Sequence, residues 1–239
     1  MSVQHATATN QLLAALPAKE RERFLADCTS VDLVFGSLLY EQDEHFRYVY
    51  FPTESFISML TAVDHHSLLE VGMVGSEGMC GVTSILDGNI APLRALVQGA
   101  GAAWRMKTTT FRGHLESMPA LRPLLERYIY VLLRQLAQTA ACTRFHVVEK
   151  RLARWLLMTR DRAHSDSFDM TQEFLAHMLG IRRVGVTTAA GVLQKRKLIR
   201  YTRGHITILN RKRLEAVACT CYRSDLDTYR HELNARAKS

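Results

Sequence analysis

The stretch MTQEFLAHMLGIRRVGVTTAAGVL, residues 170–193, constrains the fold of this chain more than any other. Two short amphipathic segments flank Gly180, and the second opens on Arg182-Arg183. The first helix must end and reverse without a Cβ clash, which glycine permits. The second must keep one face for a core and leave the other free. The pattern reads as a helix-turn-helix, whose second helix can offer its free face to a major groove.

Charge points the same way. The 239 residues carry a net charge of +8, unevenly distributed. Residues 1–146 hold 12 Lys and Arg against 14 Asp and Glu, a net of −2; residues 147–239 hold 19 against 9, a net of +10. A basic surface is often only a solvated one. Here it coincides with the two-helix pattern, and clustered Lys and Arg displace condensed counterions from phosphates. The 47% apolar share is enough for one large or two modest cores. No apolar run approaches the ~18 residues of a membrane span. The N-terminal residues MSVQHATATNQLLAAL lack the pattern of a signal peptide, so a cytosolic protein is the expectation.

Upstream, residues 10–25 carry a short helical pattern through Leu12, Leu13, Leu16 and Phe24, with a fresh helix start after Pro17. Residues 31–106 switch to short extended runs punctuated by glycine: 31–35, 37–40, 48–52, 56–63, 67–74, 81–86, 95–98 and 102–106. Many short strands at such spacing predict a sandwich or barrel. Residues 119–162 are helical, with a break near His146. Leu121, Leu125, Tyr128, Leu132, Gln135, Thr139, Cys142 and His146 step by alternating fours and threes, a heptad seam. Such a seam can lie on its own domain or on a twin helix; the twin is the preferred reading, because reading two half-sites needs a dimer. Residues 149–160 form the next helix and 163–168 a loop. Thr171 is a natural N-cap. Leu198-Ile199, Arg203-Gly204 and Ile206-Thr207-Ile208 read as a small hairpin, which makes the unit a winged helix. Helix restarts at 211–218, and the tail is amphipathic but highly charged.

This layout resembles the cyclic-AMP receptor protein/FNR (CRP/FNR) family of transcription regulators. The resemblance covers nearly the whole chain. It is carried by residues 171–193 and by the runs Tyr50-Phe51-Pro52 and Glu70-Val71-Gly72-Met73-Val74-Gly75-Ser76-Glu77-Gly78. It implies an α+β architecture: an N-terminal β-roll sensor like a cyclic-nucleotide-binding domain (1–118), a long dimerisation helix (119–146) and a C-terminal winged helix-turn-helix (147–239). In the family, an Arg-Glu pair near the start of the recognition helix reads bases, aided by an Arg one turn later. Aligned on Gly180, this chain has Arg183, Val184 and Thr188 there. Arg183 keeps a bidentate contact to a guanine edge; Val184 offers only apolar contact. The usual half-site is therefore not implied. Thr187 and Thr188 become softer contacts, and Arg182 meets phosphate or base. Thr171 and Gln172 would clamp phosphate at a helix start, although Thr171 can equally be a plain cap. Lys195, Arg196, Lys197, Arg203 and His205 lie at the helix end or on the wing.

The sensor departs further from the family. Where nucleotide-binding members have Gly-Glu and Arg-Ser or Arg-Thr, this chain has Gly81-Val82 and Arg94-Ala95. Arg94 is the one effector-binding candidate left, and without its partners it would hold phosphate poorly, so cyclic nucleotide is not expected. No cysteine falls in the first 27 residues to build the cluster of oxygen-sensing members. His65-His66 sits in a hairpin turn, read as solvent-facing rather than haem-ligating. Cys80 reads as a buried structural thiol before a redox-active one. Cys219-Thr220-Cys221 lacks the spacing of a zinc clamp, and no second Cys or His pair follows it, so these are taken as ordinary helix residues with no metal and no cofactor. No catalytic motif is present, and no enzymatic activity is expected. The implied partners are double-stranded DNA, a second copy of the chain and RNA polymerase, with no membrane. A β-roll ligand-binding module whose winged helix contacts protein remains the alternative.

Overall fold

The computed structural model describes residues 9–63 and 67–234; His65-His66 lies outside them. Two compact units emerge, one built mainly from the residues up to Met59 and from Val74–Val131, the other from Leu60–Met73 and Leu132–Tyr229.

The chain enters through α1 (Gln11–Ala14) and α2 (Ala18–Ala26). Asn10 caps α1 by accepting from the Leu13 N–H at 3.0 Å, and its buried amide donates to the Pro52 and Gly78 carbonyls at 2.9 and 2.8 Å. Seven strands follow: β1 (Thr29–Leu33), β2 (Leu38–Tyr40), β3 (Tyr48–Pro52), β4 (Phe56–Val63), β5 (Ser67–Val74), β6 (Arg94–Gly99) and β7 (Gly101–Lys107). They form a three-stranded sheet ordered β1-β7-β3 and a four-stranded sheet ordered β2-β6-β4-β5. This is the expected β-roll. α2 and α3 (Thr108–Ser117) close it through Phe24, which meets Phe51 and Phe111 edge-on at 5.3 and 6.3 Å.

Two readings of the strands need correction. Residues 81–86 are not extended: Val82–Leu86 is a 3₁₀ turn between left-handed Gly81 (φ 89°) and Asp87 (φ 60°), conformations that cannot continue a pleat. The first strand runs Thr29–Leu33 rather than 31–35, leaving Val34 and Phe35 exposed.

The long helical region breaks where expected, into α4 (Leu121–Phe145) and α5 (Val148–Ala163). Its heptad seam does not await a twin. Leu121, Leu125, Tyr128, Gln135 and Cys142 are all buried within the chain. The Tyr128 hydroxyl donates to the Met79 carbonyl at 3.3 Å, and Thr139 accepts from Arg154 at 3.2 Å. Tyr128 thus packs on the β-roll, whereas Thr139 and Cys142 pack within the second unit, Cys142 beside Cys219 and Cys221. On the opposite face Tyr130, Leu133, Ala137 and Ala140, again spaced by three and four, are exposed.

In the second unit, β8 (Ser167–Asp169) precedes α6 (Gln172–Leu179) and α7 (Arg183–Lys195), and β9 (Ile199–Thr202) and β10 (His205–Ile208) follow. The polar segment read as a loop therefore ends in a strand: β8 pairs with β10, giving a sheet ordered β8-β10-β9. A run of three residues carries too little periodicity to announce a strand. Helices α8 (Arg211–Val217) and α9 (Cys221–Asn234) end the described chain. Cys221 starts α9, but Cys219 lies between the two helices. Among the described residues no helix is long and apolar enough to cross a membrane.

Candidate nucleic-acid interface

α6 and α7 are arranged by local chemistry. Thr171 caps α6, its hydroxyl oxygen accepting from the Phe174 N–H at 3.1 Å. Gly180 ends that helix in the left-handed region (φ 59°) and sends its N–H back to the His177 carbonyl at 3.1 Å. Buried Arg151 on α5 donates to the Leu179 carbonyl, fixing the same helix end. α7 buries Val186, Ala189, Ala190 and Leu193. The other side of the helix, with Arg183, Val184, Thr187, Thr188, Gln194 and Lys195, is exposed.

The N-terminus of α7 is electropositive on two counts. Arg182 is its N-cap and supplies no side-chain hydrogen bond; the Gly185 N–H turns back to the Arg182 carbonyl at 2.9 Å, and the N–H groups of Arg183 and Val184 have no side-chain cap. These N–H groups form the positive end of the helix dipole, and Arg182 and Arg183 add two cations where acidic residues are the stabilising choice. Such an arrangement gains from an external anion or base edge. A cleft of about 390 Å³ opens beside it, lined by Thr171, Gln172, Glu173, Arg183, Tyr201, Arg203 and Gly204. The wing reaches it through a two-residue turn. Arg203 (φ 51°) and Gly204 (φ 83°) both take positive φ, as a tight hairpin with right-twisted strands requires.

The structure thus brings Thr171, Gln172, Arg183 and Arg203 around one cleft. Arg182 and Lys195 are exposed outside its lining. The threonines are more committed than their sequence suggests. The Thr188 hydroxyl donates to the Val184 carbonyl at 3.0 Å; that of Thr187 lies 2.7 Å from Gln172 Oε1 and 3.2 Å from the Arg183 carbonyl. With the Thr188 proton spent on the Val184 carbonyl and that of Thr187 on Gln172 or the Arg183 carbonyl, they present methyl groups and lone pairs. His205 sits on the wing with Nδ1 2.7 Å from the Asp169 carboxylate, its cross-strand neighbour. Arg196 pairs with Glu149 at 2.9 Å. Tyr201 was not anticipated. It lines the cleft and donates to the Met170 carbonyl at 2.7 Å; burial raises its hydroxyl pKa, partly offset by Arg183. Only its alternation with buried Ile199 on the wing strand could have signalled it.

In the β-roll, Arg94 opens β6, half-buried and paired with Glu41 at 3.5 Å. Beside Gly81 the space is filled by aromatic side chains: a Cβ there would lie 3.0 Å from the Tyr40 hydroxyl and 3.1 Å from the Phe46 ring. Cys80 is buried against Met59, sulfur to sulfur 3.8 Å, and burial holds its thiol far above the usual range.

A β-roll, a long helix and a winged helix-turn-helix follow one another along this chain. Residues 150–217 match the model of the Crp-like helix-turn-helix domain, and the chain carries that domain. Solved structures agree on the fold. FixK2 from Bradyrhizobium japonicum aligns at 17% identity with a TM-score of 0.68, over 80% of this chain and 98% of its own. The c-di-GMP responsive global regulator CLP of Xanthomonas campestris aligns at 14% and 0.67, over 81% and 100%. A regulator of the crp/fnr family from Eubacterium rectale aligns at 16% and 0.68, over 86% and 96%. No curated protein matches the chain in sequence.

Proposed function

We propose that this protein is a homodimeric, sequence-specific DNA-binding transcription regulator that acts in the cytoplasm, at promoters served by RNA polymerase, and carries out no catalysis. The observation that carries this reading is the N-terminus of α7: two arginines and the uncapped N–H groups of the positive helix end converge on an exposed helix face and a basic wing. Thr171, Gln172, Lys195 and Arg203, with His205 on the wing, would hold the phosphate backbone. Arg182 and Arg183 would enter the major groove, Arg183 reading a guanine and Val184, Thr187 and Thr188 making apolar or weak polar contacts.

The dimer would form along the exposed stripe of α4 through Tyr130, Leu133, Ala137 and Ala140, placing the recognition helices one DNA turn apart, about 34 Å. The β-roll would serve as sensor or scaffold. With Arg94 committed to Glu41 and aromatic rings beside Gly81, cyclic nucleotides would bind poorly, and calorimetry with cyclic AMP or cyclic GMP should give no binding isotherm.

Selection of bound sites from random duplexes, followed by titration at two salt concentrations, tests the reading. A palindromic site whose affinity falls by about 10³-fold or more between 50 and 200 mM salt supports it. Flat salt dependence with no enriched site would favour a winged helix that contacts protein.

A further inference from the structure

We propose that Cys142, His146, Cys219 and Cys221 form a mononuclear binding site for a thiophilic divalent cation of the Zn²⁺ class. Cys142 lies in the last turn of α4 and His146 just past its end, its N–H still donating to the Cys142 carbonyl at 3.1 Å, which keeps the pair on one side of the helix. Cys219 and Cys221 flank Thr220 where α8 gives way to α9. Folding brings together two pairs separated by more than seventy residues of sequence. The four ligand atoms all lie within 4.8 Å of one another.

Two of these spacings lie close to the edges of a coordination tetrahedron. With Zn–S near 2.3 Å and Zn–N near 2.0–2.1 Å, tetrahedral edges are about 3.8 Å between sulfurs and about 3.5 Å from sulfur to nitrogen. Cys142 Sγ lies 3.5 Å from Cys219 Sγ, and Cys221 Sγ lies 3.5 Å from His146 Nδ1. Three buried cysteines and one partly exposed histidine make a closed Cys₃His set, the donor chemistry of structural zinc.

The surroundings fit a charged centre. Gln138 donates to Cys221 Sγ at 2.9 Å, the kind of outer hydrogen bond that orients a thiolate ligand. Three thiolates and a neutral imidazole around a dication leave one net negative charge, the thiol protons passing to solvent. Arg151 and Arg154 are buried on the adjoining helix, within electrostatic reach of Cys142, and Arg154 is itself paired with Asp225. Two guanidiniums against one carboxylate supply the balancing positive charge. A disulfide between Cys142 and Cys219 would leave the third cysteine and the histidine without a role. An iron–sulfur cluster would spread its ligand atoms wider than one ion does. An ion here would tie together the end of α4, at its break before α5, and the start of α9.

The test uses the full chain, reduced and stripped by a chelator, and titrated with Co²⁺ alone. The expected result is intense thiolate-to-cobalt and tetrahedral ligand-field absorption that saturates at one ion per chain and is abolished by equimolar Zn²⁺. Cys80→Ser should behave as wild type. Cys219→Ser and His146→Ala should weaken Co²⁺ binding by at least about tenfold, the loss that even an outer partner brings. Should a variant fail to fold, alkylation mapping of the wild-type chain decides: Zn²⁺ should protect Cys142, Cys219 and Cys221 together and leave the labelling of Cys28 unchanged. Absence of thiolate bands, bound iron with acid-labile sulfide, or a Cys142–Cys219 disulfide that persists in reductant would each overturn the proposal. None of these readouts involves DNA, so the site stands or falls independently of the regulator reading.

Discussion

Arg154 donates to Asp225 across 2.7 Å, and the two side chains are only 7% and 9% exposed. They join α5 to α9 inside the second unit. Desolvation raises the Asp225 pKa against the opposing pull of Arg154, while Arg154 itself is held more firmly protonated. A pair of this kind adds little net stability over an apolar isostere, yet removing one partner strands a buried charge. Asp225→Ala should cost about 3–5 kcal/mol in urea unfolding, and Arg154→Met with Asp225→Leu should recover most of it. A single-variant loss under ~1 kcal/mol would show that water reaches the pair.

The half-buried thiol of Cys28 and the buried phenols of the β-roll set an alkaline limit. Burial, with the Asp27 charge, raises the Cys28 thiol from near 9 to about 12, and burial also raises Tyr40 and Tyr50. The native state then holds protons that the unfolded chain releases. The contribution of these groups to stability is therefore full below pH 9 and is lost as pH rises toward 12. Urea midpoints from pH 8 to 10.5 should decline, and Cys28→Ala should make the decline shallower. A wild-type midpoint that stays level over that range would refute the burial argument.

Arg183 and Arg203 face the same cleft but should fail differently. Arg183→Ala should relax base preference at one position and cost about 1–3 kcal/mol on the selected site. Arg203→Ala should weaken selected and random DNA alike and reduce the salt slope by about one. Equal losses on both DNAs for Arg183→Ala would make it a phosphate contact.

Thr171 has a structural duty separable from DNA. Thr171→Ala should lower stability by about 1 kcal/mol through the lost cap, and Thr171→Ser should not. Thermal unfolding of both variants without DNA reads this directly; equal stability would mean that the cap is dispensable.

Leu133 is 60% exposed on α4, so Leu133→Glu should leave the fold intact. Sedimentation equilibrium should then show a monomer where wild type is dimeric. A Leu133→Glu dimer of undiminished affinity would move the interface elsewhere.

Much of this was legible in local pattern. Gly180 between two amphipathic segments marks a helix-turn-helix because helix termination is a local event, and the turn at Arg203-Gly204 marks a hairpin for the same reason. The charge split between the halves needs no coordinates. The strand at Ser167–Asp169 and the 3₁₀ turn at Val82–Leu86 were less visible. Three residues hold no period, and alternating side chains do not reveal left-handed backbone at Gly81 and Asp87.

The order of elements, the β-roll pattern and the winged helix-turn-helix were thus written into the chain itself, because periodicity, caps and turns act over a few residues. Which side of α4 is buried, whether Arg94 is spoken for, and which distant side chains meet were decided only in three dimensions. The heptad seam was compatible with a twin helix or with the chain's own domains, and burial of Leu121, Leu125, Tyr128, Gln135 and Cys142 within the chain decided it. Cys142 and His146 had no visible connection to Cys219 and Cys221 until α4, α8 and α9 packed, since a ligand set drawn from remote segments leaves no spacing to read.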